Sequence, residues 1–282
     1  MILESPVRAA VRGRRRGTIA NSMTIGSDKR LGMRPRGFVG LRGPQAADYL
    51  QRMVSNDVEA LAAGESCDAL LLTPKARVVA PLRVLRRADD DFLLLTEPEL
   101  AETVRDHLVR SRFAARVEIE LEEHASHVVL GARPEGLAVR ADDYGEPGWE
   151  VLDSEPDPAA VSLSAAELEA LRIRAATPRY GREIDDRVLP AEAGLERRSI
   201  SFTKGCYPGQ EPVARQHYRG KVNRRLRVLE IEAAEPGDEI LLEGRVVGRV
   251  TSAVPGRALG YVRVEVPDDS ELSVRGQPAR LH

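Results

Sequence analysis

Residues 204–211 read Lys-Gly-Cys-Tyr-Pro-Gly-Gln-Glu, and no other segment of the chain has residue types so well suited to chemistry. Two glycines and Pro208 surround Cys206, a composition that neither a regular helix nor a central strand tolerates. The segment is therefore predicted to be a tight loop, and loops carry function more often than cores do. Lys204 precedes the thiol by two residues and is predicted to favour the thiolate, its reactive form.

The same loop places an amide and a carboxylate, Gln210 and Glu211, close to the thiol. Three roles for Cys206 follow from its chemistry. It can be a redox thiol, it can ligate an iron–sulfur cluster transiently, or it can simply pack in a turn. A single cysteine cannot hold a cluster alone, so a cluster would need a partner protein or a second chain.

The loop resembles the signature of the YgfZ-type folate-binding proteins, which are relatives of the glycine-cleavage T-protein, an aminomethyltransferase of the GcvT superfamily. The likeness covers most of residues 38–265. It is carried by residues 50–58, 172–174, 178–181, 183–185, 190, 192–195, 201–202, 213–215, 219–220, 248–252 and 260–262.

This resemblance implies an α+β fold in which ferredoxin-like subdomains surround a channel and a small C-terminal antiparallel β-barrel follows. The chain pattern agrees, because strands and helices alternate up to about Lys221 and only short β-rich runs follow. We expect residues 38–221 to form a folate-binding domain of two interwoven subdomains, and residues 222–282 to form the barrel. Residues 1–37 are arginine-rich and contain only Glu4 and Asp28 as acids, which favours a flexible tail over a transit peptide.

The resemblance also implies a folate site. Glu146, in a Gly-Glu-Pro-Gly turn, is expected to bind the pterin of tetrahydrofolate, and Arg215 and Arg219 are expected to bind its glutamyl tail. The remaining expected cofactor-binding residues are Asn56, Tyr207, Gln210 and Glu211. The expected catalytic residues are Cys206 and Lys204.

One departure from the T-protein bears directly on enzyme activity. Its catalytic hairpin carries an acidic pair, but here Ala80 and Pro81 occupy those positions. Neither side chain transfers a proton, so general acid–base catalysis has no visible agent. Whether this chain is an enzyme therefore stays open.

Charge and composition narrow the partners. The net charge of −2 indicates neither nucleic acid nor membrane as an obligatory partner. Residues 197–227 nevertheless contain nine Arg or Lys and one acid, Glu211, an excess suited to polyglutamyl folate, an acidic partner or RNA. Sparse aromatic residues, Tyr207 and Tyr218, disfavour direct binding of single-stranded nucleic acid. Cys67 and Cys206 form no metal-binding pattern, and no zinc or other metal site is expected.

We therefore expect a cytoplasmic, monomeric, folate-binding accessory protein that assists iron–sulfur cluster assembly or repair, with iron–sulfur proteins, including tRNA-modifying enzymes, as its clients. Two alternatives are a folate-dependent aminomethyl- or methyltransferase and a non-catalytic interaction module.

Overall fold

The computed structural model describes residues 29–220 and 222–282, with Arg219 as backbone only. The predicted tail lies outside the described residues as far as residue 28. Within the described part no helix is long and apolar enough to cross a membrane.

The first subdomain is a five-stranded sheet in the order β3-β4-β5-β2-β6, with two helices against one face. Its strands alternate apolar side chains toward those helices, and Leu50, Val104 and Leu108 of the helices complete the core. Its elements are β2 (Gly37–Arg42), α1 (Ala46–Met53), β3 (Ser66–Leu72), β4 (Val78–Ala88), β5 (Asp91–Thr96), a 3₁₀ turn (Pro98–Leu100), α2 (Ala101–Ser111) and β6 (Glu118–Glu122).

The second subdomain is a sheet in the order β10-β1-β7-β9-β8. A capping box at Ser164 and Glu167 begins helix α3, and Leu168 of that helix packs on Val128 and Leu130. Its elements are β1 (Arg30–Met33), β7 (Ser126–Leu130), β8 (Ala138–Arg140), β9 (Gly148–Leu152), β10 (Val161–Leu163) and α3 (Ala165–Arg174).

Strand β1 corrects the predicted boundary at residue 37. Residues 30–33 pair antiparallel with β7 and parallel with β10, so they lie inside the second sheet. The chain then crosses to the first sheet at β2, which interweaves the two subdomains. The correction arises because backbone hydrogen bonds to distant strands, which composition does not show, order this short segment.

A turn-rich segment connects the α+β core to the barrel and contains α4 (Glu196–Ser199) and α5 (Gln210–Arg219). Its apolar side chains, among them Ile184, Leu195 and Tyr207, pack with Leu70 of β3 and Tyr261 of the barrel. The segment that carries the cysteine loop thus packs against both the first subdomain and the barrel.

The C-terminal part is a closed antiparallel barrel in the order β11-β14-β13-β12-β15-β16, which confirms the barrel and the α+β class predicted from the sequence. Pairing of Leu229 with Leu281 closes it, and Leu229, Ile240 and Val274 fill its interior. Its strands are β11 (Arg224–Glu230), β12 (Glu239–Leu242), β13 (Arg245–Val254), β14 (Arg257–Arg263), β15 (Leu272–Val274) and β16 (Gln277–Leu281).

Candidate functional site

The loop around Cys206 presents an exposed thiol. Gly209 ends the loop in the left-handed conformation, with φ of 84°, and is the N-cap of α5. A Cβ at Gly209 would lie 2.6 Å from the carbonyl oxygen of Thr73 and 3.1 Å from the Cα of Ala76. The loop therefore rests directly on the β3–β4 turn, and only glycine permits this approach.

Lys204 has a different environment from the one the sequence predicts. Its Nζ donates to the carbonyl oxygens of Gln51, Val54 and Asn56 at 2.5, 2.7 and 2.8 Å. Burial lowers the pKa of Lys204 to about 8, but these three acceptors match its three N–H groups, and the ammonium is retained at neutral pH. The ammonium is occupied in anchoring the loop to the end of α1, and its activation of Cys206 stays a prediction.

Tyr207 and Gln210 fix the loop from its other side. The backbone N–H of Tyr207 donates to Oε1 of Gln210 at 3.2 Å, and the Tyr207 ring is buried, which raises the pKa of its hydroxyl to about 12. Glu211 is exposed in the first turn of α5. Among these three predicted site residues, two are engaged in packing and hydrogen bonding within the loop.

Asn56 is likewise engaged in structure. Its Nδ2 donates to the carbonyl oxygens of Asp68 and Arg198 at 2.7 and 3.1 Å, and its Oδ1 accepts from the N–H of Asp57 at 2.9 Å. Asn56 thereby connects β3 to α4 and does not present a free polar group to a ligand.

The β3–β4 hairpin places its two non-acidic residues on opposite faces. Ala80 points into the core beneath α1 and α2, whereas Pro81 lines a central cavity. Since neighbouring residues of a strand alternate between faces, only position 81 could carry a side chain into that cavity. Neither Ala80 nor Pro81 therefore brings a carboxylate into the central cavity.

Instead, the central cavity is lined by a cluster of charges that the sequence analysis did not identify. Arg83 donates to Asp68 at 3.1 Å, to Glu150 at 2.8 Å and to Asp143 at 3.2 Å. Arg36 forms a further bidentate contact with Glu150. Burial opposes the charged state of Asp143 and Glu150, but the surrounding arginines hold the pKa of both carboxyls below its ordinary value.

Two cavities that share lining residues adjoin this charge cluster. The central one has a volume of about 40 Å³, and the second, between the β1–β2 connection and α3, has about 340 Å³. Arg34, Glu97 and Arg172 line both. Nε of Arg34 is buried and has no hydrogen-bond partner among the described residues, and it lies within ion-pair distance of Oε1 of Glu150, at 3.6 Å.

Glu146, the predicted pterin ligand, lines neither cavity and forms an ion pair with Arg30. Glu150, four residues later, also lines neither cavity, but it is fully buried and belongs to the charge cluster beside the central cavity. The signal for it was present, because a glutamate stands among the apolar residues of strand 148–152 and such a residue needs a charged partner.

Arg215 is exposed on α5 and has no ion-pair partner among the described residues, and the side chain of Arg219 lies outside what the structure describes. Arg215 lines neither of the two cavities. The described part of the chain also contains no group of three or more His, Cys, Asp or Glu side chains able to hold a metal ion.

Comparison with known proteins agrees with this architecture. The family model described as "CAF17, C-terminal beta-barrel domain" matches residues 219–282. The solved structure of glycine cleavage system aminomethyltransferase T from Bartonella henselae superimposes with a TM-score of 0.78 at 20% identity, over 90% of this chain and 85% of that one. This likeness confirms the predicted arrangement of α+β subdomains followed by a barrel.

Two sequence relatives extend the comparison. An aminomethyltransferase of Nostoc is 26% identical over 86% of this chain and 77% of its own length. The tRNA-modifying protein YgfZ of Colwellia psychrerythraea is 24% identical over 71% of each chain. Fold and relatives together define a protein of the GcvT aminomethyltransferase superfamily. Within that superfamily, the matched barrel model and the relative named YgfZ make this chain similar to the YgfZ-type proteins.

Proposed function

We propose that this protein binds tetrahydrofolate and serves as an accessory factor in the assembly or repair of iron–sulfur enzymes, including enzymes that modify tRNA. The observation that carries the proposal is the exposed thiol of Cys206 on a loop anchored by Lys204 and Gly209. A relative named for tRNA modification supports the choice of clients.

The folate part of the proposal is supported by the chemistry of the side chains that line the two cavities. The larger one, at about 340 Å³, reaches the lower end of the range of roughly 300–1,000 Å³ that small-molecule sites occupy. Glu97 offers a carboxylate to pterin N–H groups, Nε of Arg34 offers a donor that makes no hydrogen bond within the described residues, and half-exposed Arg179 belongs to the lining. When bound, tetrahydrofolate supplies the capacity to carry a one-carbon group, which is the chemistry of the cofactor itself.

The channel residues revise the expected ligand set. Glu97 replaces Glu146 as the proposed pterin-binding carboxylate, because Glu97 lines both cavities and Glu146 lines neither. Among the arginines that line the larger cavity, Arg179 is the exposed one and is proposed to bind a glutamyl tail. Arg215 remains the alternative cation, and the two choices predict a loss of tail binding in different variants.

Calorimetry with tetrahydrofolate and with its polyglutamyl form tests the folate site. We expect binding of both, with a preference for the polyglutamyl form that Arg179→Ala removes and Arg215→Ala leaves unchanged. Loss of the preference in Arg215→Ala alone would show that the glutamyl tail binds at α5. Absence of heat and of a thermal shift with either ligand would contradict folate binding.

Complementation tests the role of the thiol. In a strain that lacks its own YgfZ-type protein, Cys206→Ser should abolish the activity of an iron–sulfur tRNA-modifying enzyme. The free energy of unfolding of the variant should stay within about 1 kcal/mol of that of the parent. Cys67→Ala is the matched control, since the Cys67 thiol is half-buried and burial raises its pKa to about 12. Full complementation by Cys206→Ser would favour the non-catalytic interaction module.

The proposed setting is a reducing compartment such as the cytoplasm, because both cysteines are free thiols. A cluster would be cargo, because Cys206 alone cannot hold it and the other ligands must come from a client or a second chain. We propose that the protein itself is a monomer.

A further inference from the structure

A groove separate from the channel opens between α4, the end of α5 and the barrel. It encloses about 940 Å³. Its lining includes the apolar side chains of Ile200, Phe202, Leu226 and Val264, which we call the floor of the groove. Phe202 lies four residues before Cys206, so the groove begins next to the thiol-bearing loop. The proposed function uses none of these side chains.

The rim of the groove carries uncompensated positive charge. Arg197 and Arg225 are exposed and have no ion-pair partner among residues 29–220 and 222–282. Of the two carboxylates of the rim, Glu192 pairs with Arg224 at 3.2 Å, whereas Glu196 lies 3.8 Å from the His217 ring, so two unpaired arginines stand against one carboxylate without an arginine partner. The arginine excess of this segment therefore remains available to an acidic ligand.

The floor suits aliphatic or aromatic side chains better than nucleobases. Phe202 is the aromatic residue of the floor, and its ring is covered by His217, with ring centroids 4.0 Å apart and planes inclined by 25°. A stacked base would need that face. Val264 is instead 45% exposed, an apolar surface that a partner side chain can cover.

We propose that this groove binds an acidic peptide segment of a partner protein, with one aliphatic or aromatic side chain on the floor and carboxylates at Arg197 and Arg225. The further statement, that such a partner is thereby brought to Cys206, rests on the proposed function. Peptide binding itself does not.

Selection of random displayed peptides on the whole chain tests this proposal. We expect enriched peptides to combine acidic residues with one large apolar residue. A selected peptide, labelled with fluorescein, should lose at least about tenfold in affinity when Arg197→Glu and Arg225→Glu are combined, and its binding should weaken with salt. Val264→Glu should weaken binding comparably.

Matched controls are available on the barrel. Arg245→Glu changes an exposed arginine outside the groove, and Val246→Glu changes a valine that is 46% exposed, almost the same as Val264. Both should bind the peptide as the parent does. Cys206→Ser should also retain peptide binding, so loss of the thiol function and loss of the groove are separate outcomes.

Several results would overturn the proposal. Enrichment of basic peptides or of none, or equal losses in the control variants, would show that the groove has no such specificity. A single-stranded RNA that competes for the groove and binds more tightly than the peptide would assign it to nucleic acid. A concentration-dependent dimer that Arg225→Glu dissociates would assign it to a second copy of the chain.

Discussion

Cys206 and Lys204 are two residues apart in the chain, yet their surroundings give them different roles. The Cys206 thiol is exposed and free to react. The Lys204 ammonium reaches back to the last turn of α1 and the residues after it, where helix carbonyl groups lack intrahelical partners. The lysine therefore positions the loop that presents the thiol.

This assignment predicts the effect of Lys204→Ala. The variant should lower the free energy of unfolding by about 1–3 kcal/mol, because it leaves three carbonyl groups without their charged donor. Urea denaturation measures the change. Lys75→Ala is the control, since Lys75 is exposed on the β3–β4 turn, and it should stay within about 0.5 kcal/mol. Equal stability of the two variants would contradict the role of Lys204 as the anchor of the loop.

At the scale of elements, the β3–β4 hairpin carries the two positions that bear on aminomethyl transfer. Ala80 is in the core and Pro81 faces the cavity. We expect no methylenetetrahydrofolate from an aminomethylated lipoyl carrier, because neither position supplies a general acid or base. A coupled assay beside an authentic T-protein measures this. Turnover near the rate of that enzyme would show that another carboxylate, such as Glu97, acts in its place.

His124 connects the two sheets at a second place. Its Nε2 lies 2.8 Å from Glu122 of β6, and its Nδ1 lies 2.6 Å from Asp153, which follows β9. Burial alone would lower the pKa of His124, but hydrogen bonds to Asp153 and Glu122 raise it above 6.5. Arg87 in turn holds the pKa of Glu122 at about 2, so both partners stay ionised.

The direction of the His124 pKa shift determines how the stability that this contact contributes depends on pH. The folded state holds the His124 proton more tightly than the unfolded state, so the stabilisation is complete below pH 6.5 and declines as pH rises through the folded-state pKa. The stability difference between the parent and His124→Gln should therefore shrink between about pH 5 and about pH 9 in urea unfolding.

His107→Gln provides a control of opposite sign. Burial and Arg110 lower the pKa of His107, so its contribution improves as pH rises through 6.5. Parallel profiles for the two histidine variants would contradict the assignment of His124 as the contact between the sheets.

At the scale of the whole molecule, Arg172 joins the α+β core to the barrel. Its guanidinium donates to Glu183 and to Ser252 of β13, both at 2.9 Å, and Ser252 donates to the same glutamate at 2.6 Å. Arg172 and Glu183 are almost fully buried. The orientation of the barrel relative to α3 thus depends on a closed polar network.

Removal of one partner from this network should be costly. Arg172→Met should lower the free energy of unfolding by about 3–5 kcal/mol, because the buried charge of Glu183 remains unpaired. The double variant with Glu183→Gln should recover part of that loss. Arg174→Met, on the exposed face of the same helix, is the control. Additive effects of the two substitutions in a urea double-mutant cycle would show that Arg172 and Glu183 are not coupled.

The sequence alone determined the features that depend on residue type and local spacing. The Gly-Pro-Gly composition of 204–211 required a loop, and Gly209 adopts positive φ there. The shift to short β-rich runs after Lys221 indicated the barrel. Ala80 and Pro81 showed the missing acid, because the absence of a functional group from a position can be seen without coordinates.

Only the tertiary structure decided which charges meet. Lys204 bonds to residues about 150 positions away rather than to Cys206. The glutamate of the buried charge cluster is Glu150 of a strand rather than Glu146 of the preceding turn, and Arg83 contacts it from 67 positions away. Such pairs depend on sheet order and on the face that each side chain occupies, and one residue of register reverses that face. Long-range electrostatic partners therefore follow from the packed fold, whereas loops and missing groups follow from the chain itself.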